Sequence, residues 1–226
     1  MLYENIVEGT FINRPNRFIA QVEIQGNVEK CHVKNTGRCK ELLVPGATVY
    51  LERSNNIKRK TRFSLISVEK KGRLINMDSN APNKVVYEWL KKGRLFPDIT
   101  LIKPETKYNN SRFDFYVEHG DKKTFIEVKG VTLEEDGIVR FPDAPTIRGV
   151  KHLNELQDAK KEGYEAYVVF VIQMKGVKYF TPNDVTHKEF GDTLRRAGKS
   201  GVDILAYDCQ VTKNSLIISD EVEVRL

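Results

Sequence analysis

The chain has 226 residues, of which 40% are hydrophobic and 30% are charged. This length suits one large domain or two smaller ones, and the apolar fraction suffices for a packed core, which excludes a mostly disordered chain. No apolar run approaches the about 20 residues that a membrane span needs. Residues 1–11 lack the basic-then-apolar pattern of a secretory signal. We therefore expect a cytoplasmic protein with no membrane partner.

Positive charge is unevenly distributed along the chain. The net charge is +6, and the isoelectric point is about 9.1. Residues 1–80 contain 14 Lys and Arg against 8 Asp and Glu, whereas residues 81–226 contain 23 of each class. The whole excess thus lies in the first third, where it indicates either a surface for a polyanion or a solvated basic face.

The three cysteines, Cys31, Cys39 and Cys209, form no C-x-x-C pair. Their odd number and wide spacing argue against a disulfide framework and against a zinc site, so we expect reduced cysteines.

The first third of the chain is predicted to form a small β-barrel. Alternating apolar residues over 18–24 and 28–34, separated by a glycine-containing turn, predict a hairpin. Further strands are predicted over 47–53 and 63–70, joined by the polar and basic segment 54–62. Short strands without a long helix are typical of barrels of the OB or the SH3 type, and composition does not decide between them.

A second domain is predicted to follow a boundary near Asp78–Asn80, which gives domains of residues 1–79 and 80–226. Beyond the boundary, helical and strand patterns alternate, and this predicts an α/β or α+β domain. The predicted helices cover 84–92, 146–161 and 184–197, and the predicted strands cover 112–118, 124–129, 165–172, 203–207 and 215–218.

Two neighbouring predicted strands carry polar residues that can share one face. In the first, Asp114 is expected to point away from Phe113 and Phe115. In the second, Glu127 and Lys129 share the side opposite the apolar residues of that strand. The link between the strands is short enough for a hairpin, so the three polar side chains can converge.

Two carboxylates and a lysine suit the metal-dependent hydrolysis of a phosphodiester. Asp114 and Glu127 offer the hard oxygen ligands that Mg²⁺ prefers, with Mn²⁺ as an alternative ion. Lys129 is placed to orient a water or to stabilise a transition state. Glu88, on the preceding predicted helix, is a candidate for a further carboxylate. A Glu-x-Lys pair on an exposed strand is commonly a solvated charge pair, so the pattern alone leaves both interpretations open.

Basic residues in both predicted domains are candidates for contacts with a nucleic-acid backbone. In the first domain they are Arg14, Arg17, Arg38, Lys40, Lys58, Arg59 and Lys60. Arg38 is the strongest of them because it follows Gly37, which we expect to serve a tight turn.

The start of the predicted helix 146–161 carries Arg148, Lys151 and His152. The N–H groups at a helix start favour phosphate, so this trio is a second candidate for DNA contacts. The alternative is a solvated basic face with a hydrogen-bonded histidine. Gln173, which ends a buried strand, is expected to be structural rather than part of the site.

An ordered set of motifs runs through the chain. It comprises Asn35-Thr36-Gly37-Arg38, Glu41-Leu42-Leu43, Ser111-Arg112-Phe113-Asp114-Phe115, Glu127-Val128-Lys129-Gly130-Val131-Thr132-Leu133, Phe141-Pro142-Asp143-Ala144, Thr146-x-Arg148-Gly149-x-Lys151-His152-Leu153 and Val171-x-Gln173. Together these motifs closely resemble the sugar fermentation stimulation protein A (SfsA) family over nearly the whole chain.

The resemblance implies an OB-like domain joined to a PD-(D/E)xK, or restriction-endonuclease-like, domain. It further implies binding of double- or single-stranded DNA and a Mg²⁺-dependent nuclease site. Asp114 and Glu127 would be the metal ligands, Lys129 the catalytic lysine and Glu88 a further acidic position. Phe113 stands where the superfamily's name has proline.

The alternative is a DNA-binding transcriptional regulator, of sugar metabolism by the family's name, that uses a nuclease-like fold without turnover. RNA also stays open as a substrate. The sequence determines neither the natural substrate nor the oligomeric state, for which a homodimer is one option.

Overall fold

The computed structural model of the chain describes residues 1–35 and 37–226. Thr36, which belongs to the Asn35–Arg38 motif, lies outside the described residues. The first half contains six strands: β1 (Ile6–Asn16), β2 (Ile19–Ile24), β3 (Asn27–Val33), β4 (Thr48–Arg53), β5 (Phe63–Lys70) and β6 (Arg73–Asn76).

The first five strands close into a barrel. β1 pairs antiparallel with β2 and β4, β2 with β3, and β4 with β5, and a parallel pairing of β3 with β5 completes the circuit. Ala20, Val22 and Ile24 alternate into the interior, as the pattern predicts. Gln25 and Gly26 both have positive φ, which suits the tight turn of a two-residue hairpin. The closed five-stranded barrel confirms the predicted OB-like domain.

The second half is an α/β domain, as predicted. Its elements are α1 (Ala81–Lys91), β7 (Ile99–Tyr108), β8 (Ser111–His119), β9 (Lys122–Val131), β10 (Leu133–Glu135), β11 (Ile138–Phe141), α2 (Ile147–Lys161), β12 (Glu165–Ile172), β13 (Tyr179–Pro182), α3 (Asp184–Lys199), β14 (Asp203–Thr212) and β15 (Ser215–Glu221). Among these helices, none is both long and apolar enough to cross a bilayer, as far as the described residues go.

Six strands form the main sheet in the order β15-β14-β12-β9-β8-β7. The central pairs β9–β12 and β12–β14 are parallel, and the pairs toward both edges are antiparallel. Helix α1 packs with Ile126 and Val128 on one face, whereas α2 packs with Phe125 and Phe170 on the other. Because β12 is covered on both faces, it is apolar throughout, as its sequence predicts.

Buried polar contacts and a continuous core join the two halves. Gln173 donates from Nε2 to Oδ1 of Asn76 at 2.9 Å and to the carbonyl of Asp78 at 3.1 Å. These bonds agree with the structural interpretation of Gln173. One cluster of buried apolar residues extends from the barrel into the second domain. Leu2 forms a bridge with Ser215, so the first residues lie on the second half, and the division at residue 79 stays a prediction.

Candidate active site

Asp114 lies where β8 separates from β9. The paired residues of these strands end at Phe115 and Ile126. Beyond that point the N–H of Val128 donates to Oδ2 of Asp114 at 2.7 Å, so the carboxylate takes the place of a backbone carbonyl. Asn83 of α1 donates to the other oxygen, Oδ1, at 2.7 Å. Both carboxylate oxygens are therefore held at the opening between the strands.

The expectation that Phe113 and Phe115 point the same way is wrong. Phe115 stacks on Tyr87 of α1, whereas Phe113 packs against Phe125 and His152 on the α2 side of the sheet. The strict alternation of β8 therefore breaks at Asp114, between the two phenylalanines.

Glu127 is buried and has two unequal oxygens. Oε1 is 2.5 Å from Nζ of Lys129 and also forms a hydrogen bond with Nδ1 of His152. Oε2 is equally buried and has no hydrogen-bond partner among the described residues. A buried carboxylate oxygen without a donor costs free energy, and a cation is a partner that would offset this cost.

The two carboxylates experience opposite electrostatic environments. Burial raises the pKa of Asp114 to about 6, and the negative charge of Glu127 adds to the rise. Burial also opposes ionisation of Glu127, but the hydrogen bond from His152 and the charge of Lys129 outweigh it, so its pKa lies below the ordinary value. A divalent cation beside both groups would favour the ionised form of each.

The groups that could bind a metal at this site are the carboxylates of Asp114 and Glu127. Within residues 1–35 and 37–226, no group of three or more His, Cys, Asp or Glu side chains could hold a metal ion. Asp114 and Glu127 offer carboxylate oxygens, which are the ligand type that Mg²⁺ prefers.

Glu88 lies outside this site, which corrects the prediction from the sequence. Its carboxylate pairs with the N-terminal ammonium of Met1 at 2.8 Å, and that ammonium also donates to the carbonyl of Leu216 in β15. In the sheet, three strands separate β15 from β8 and Asp114. Asn83, on the same helix, is the residue that donates to Asp114.

His152 is 2% exposed and contacts Glu127, so the structure corrects its interpretation as a DNA contact. Thr146 caps α2 by accepting from the N–H of Gly149 at 3.0 Å, which sets His152 in the second turn. Arg148 and Lys151 are exposed on the same helix and stay available to a phosphate. Lys151 donates to the carbonyl of Asn110 at the tip of the β7–β8 hairpin.

Arg14 organises the barrel loops that face the second domain. Its two terminal nitrogens donate to the carbonyls of Arg17, Asn35, Gly37 and Arg38 at 2.6 to 2.9 Å. These four bonds assign Arg14 to the structure of the loops, which corrects its interpretation as a phosphate contact.

Arg17, Arg38 and Lys40 are exposed around the loops that Arg14 holds. The N–H of Arg38 donates to Oδ2 of Asp143 at 3.1 Å, which fixes this part of the barrel against the second domain. A Cβ atom on Gly37 would overlap the same carboxylate, so the glycine serves close approach. The structure thus brings one group of predicted basic residues next to the second domain.

The other predicted basic residues of the barrel lie in the β4–β5 loop, residues 54–62. Lys58 and Lys60 are exposed. Arg59 donates to the hydroxyls of Thr61 and Ser64, at 3.4 and 3.2 Å. This loop forms a separate basic surface.

Asn83 and Asp143 are the site residues that sequence reasoning missed. Asn83 directly precedes the predicted helix 84–92, and nothing in its pattern indicates a contact with Asp114. Asp143 stands in a motif of the family resemblance, and its spacing from Gly37 in the chain gives no sign of their contact. For His152 a signal existed, because it lies one turn before the buried Leu156 on the apolar side of α2.

Comparison with known proteins agrees with the fold and the motifs. Residues 12–77 match the family model for the SfsA N-terminal OB domain, and residues 80–215 match that for the sugar fermentation stimulation protein RE domain. The sugar fermentation stimulation protein homologs of Clostridium beijerinckii and Ruminiclostridium cellulolyticum are 67% and 62% identical over 226 residues, covering 100% of this chain and of each relative.

A solved structure, Pyrococcus furiosus SfsA in complex with Ca²⁺, is similar over the whole molecule. The TM-score is 0.91 at 27% identity, and the match covers 100% of this chain and 98% of that one. The OB barrel and the α/β domain therefore follow one another here as they do in that protein, and the chain belongs to the sugar fermentation stimulation protein A (SfsA) family.

Proposed function

We propose that this protein is a DNA-binding, Mg²⁺-dependent nuclease whose site consists of Asp114, Glu127 and Lys129. The observation that supports this most is the state of Glu127, which has one oxygen held by two donors and one buried oxygen without a partner. Such an oxygen beside a second carboxylate suits a hard divalent cation. The similar Pyrococcus furiosus protein is described in complex with Ca²⁺, which also prefers oxygen ligands.

Asp114 and Glu127 would hold Mg²⁺, with Mn²⁺ as the alternative ion. When bound, such an ion supplies a Lewis acid that offsets the negative charge developing on a scissile phosphate. Lys129 places a positive charge beside Glu127 on a side chain that is 14% exposed, so it can reach a phosphate or orient the attacking water. Asn83 and His152 keep the two carboxylates in place.

Exposed basic residues on both sides of the interdomain contact would hold the DNA backbone. Arg17, Arg38 and Lys40 lie on the barrel side, and Arg148 and Lys151 lie at the start of α2. Contacts with phosphates carry little sequence information and weaken steeply with salt. We therefore expect binding with weak sequence preference.

A cleavage assay with a panel of substrates tests the proposal. Duplex DNA, single-stranded DNA and RNA are incubated with Mg²⁺, with Mn²⁺ or with a chelator. Cutting should require the metal, and Glu127→Gln and Lys129→Ala should each lower the rate by about 10²-fold or more. Filter binding should show that both variants still bind DNA.

Two outcomes would redirect the assignment. Full cleavage by Glu127→Gln would place the chemistry elsewhere in the molecule. DNA binding without metal binding and without cleavage by the wild type would instead support the DNA-binding regulator that uses this fold without turnover.

A further inference from the structure

We infer that His152 is a positioning residue for the metal site, acting through Glu127. Its Nδ1 atom bonds to Oε1 of Glu127, the same oxygen that Lys129 contacts, and this leaves Oε2 without a partner among the described residues. The histidine thereby fixes the plane of the carboxylate, with one oxygen held and the other free for a cation. This inference rests on the proposed function.

The contacts of the His152 ring define one tautomer. Nε2 lies 3.3 Å from Nε of Arg148. An arginine N–H can only donate, so Nε2 must accept and the ring proton must sit on Nδ1. The ring therefore donates in one direction only, from Nδ1–H to Glu127, while Arg148 holds the other side of the ring.

The surroundings of His152 make it a better anchor than Lys129. The ring is 2% exposed and lies edge-on to Phe113, with the ring centroids 6.1 Å apart. Its two torsions are therefore confined by packing. Lys129 has a flexible four-carbon stem and three equivalent donors, so it can follow the carboxylate as it rotates. Without the histidine, Glu127 would lose the contact that sets its orientation.

Outer contacts of this kind hold a ligand in its binding orientation, and their loss typically lowers metal affinity by about 10- to 100-fold. The test compares His152→Asn with His152→Gln in the full chain. The amide nitrogen of asparagine can take the position of Nδ1, whereas that of glutamine takes the position of Nε2. Only asparagine therefore keeps a donor directed at Glu127.

Titration calorimetry with Mn²⁺ alone gives the first measurement. His152→Gln should bind Mn²⁺ about 10- to 100-fold more weakly than the wild type, and His152→Asn should recover most of that loss. Thermal unfolding confirms that both variants fold. Equal losses in the two folded variants, or no loss in either, would overturn the inference.

A second measurement needs no metal. Nitrogen NMR of the metal-free wild type should show His152 protonated at Nδ1 and unprotonated at Nε2. The opposite tautomer would overturn the inference. If the expected tautomer is found but the wild type binds no Mn²⁺, the proposed function fails, whereas the hydrogen bond that orients Glu127 stands.

Discussion

Nδ2 of Asn83 donates a 2.7 Å hydrogen bond to Oδ1 of Asp114, which ties the first turn of α1 to the opening between β8 and β9. This donor favours the charged form of a carboxyl whose pKa is raised by burial. We expect Asn83→Ala to weaken Mn²⁺ binding by about tenfold, because the carboxylate then loses one of the two donors that hold its orientation. Calorimetry measures the change.

Glu88→Ala is the matched control on the same helix. It removes only the ion pair with the N-terminus, so Mn²⁺ affinity and cleavage should stay at the wild-type level. A drop in Mn²⁺ affinity for Glu88→Ala but not for Asn83→Ala would contradict the placement of the two residues.

The raised pKa of Asp114 predicts that metal binding depends on pH. Protons and cations compete for the same carboxylate, which is ionised above a pKa of about 6 and protonated below it. Apparent Mn²⁺ affinity should therefore fall as the pH is lowered from 7.5 to 5, approaching about tenfold per pH unit at the acid end. Calorimetry at pH 7.5, 6 and 5 checks this. A constant affinity over that range would show that Asp114 is not a ligand.

Glu134 of β10 should stabilise the contact between barrel and second domain. Its carboxylate is 3.2 Å from Nζ of Lys70 and 2.9 Å from the Arg73 guanidinium, and it accepts from the N–H of Gly137 at 2.6 Å. Burial opposes its ionisation, but these partners outweigh burial and hold the pKa of Glu134 below its ordinary value. Glu134→Gln should lower the free energy of unfolding at pH 7 by about 2 kcal/mol.

The pH dependence of that difference follows from the sign of the shift. A carboxyl with a depressed folded-state pKa contributes stability above its unfolded pKa and loses it as the pH falls through the folded value. The gap between wild type and Glu134→Gln in urea unfolding should therefore shrink between pH 5 and pH 3. A gap that is equally large at pH 3 would mean that packing, not charge, is responsible.

Arg38→Ala should weaken DNA binding to all sequences alike. Arg38 is exposed on a loop that Asp143 holds against the second domain. Removing one phosphate contact should reduce the slope of log affinity against log salt by about 1. Fluorescence anisotropy at several salt concentrations measures the slope. Lys199→Ala, an exposed lysine near the end of α3, serves as the control, and an equal effect of both variants would exclude a specific role for Arg38.

Strand periodicity was sufficient to predict that Glu127 and Lys129 lie together, because alternation alone determines which residues of a strand share a face. It failed at Phe113, which lies beyond the point where β8 separates from β9 and where the N–H of Val128 bonds to the side chain of Asp114. This use of a side chain as the acceptor in place of a backbone carbonyl depends on β9, and the sequence of β8 alone does not indicate it.

Contacts between elements that are far apart in the chain could not be predicted from the sequence. Glu88 and Asn83 both lie on α1, and only the packing of α1 on the sheet decides which one meets Asp114. The edge strand β7 was also missed. Its exposed Lys103, Pro104 and Glu105 interrupt the apolar alternation by which strands are recognised.

One buried apolar cluster runs from the barrel into the second domain, and Gln173 links the two halves by a hydrogen bond to Asn76. This shared core determines whether the two halves can fold separately. Separate family models describe the two halves, which would suit two domains that each fold alone. In this chain each half covers apolar surface of the other, so a cut near residue 79 would leave both fragments with uncovered core. We therefore expect the two halves to unfold together in a single transition, which urea unfolding followed by two different probes would test.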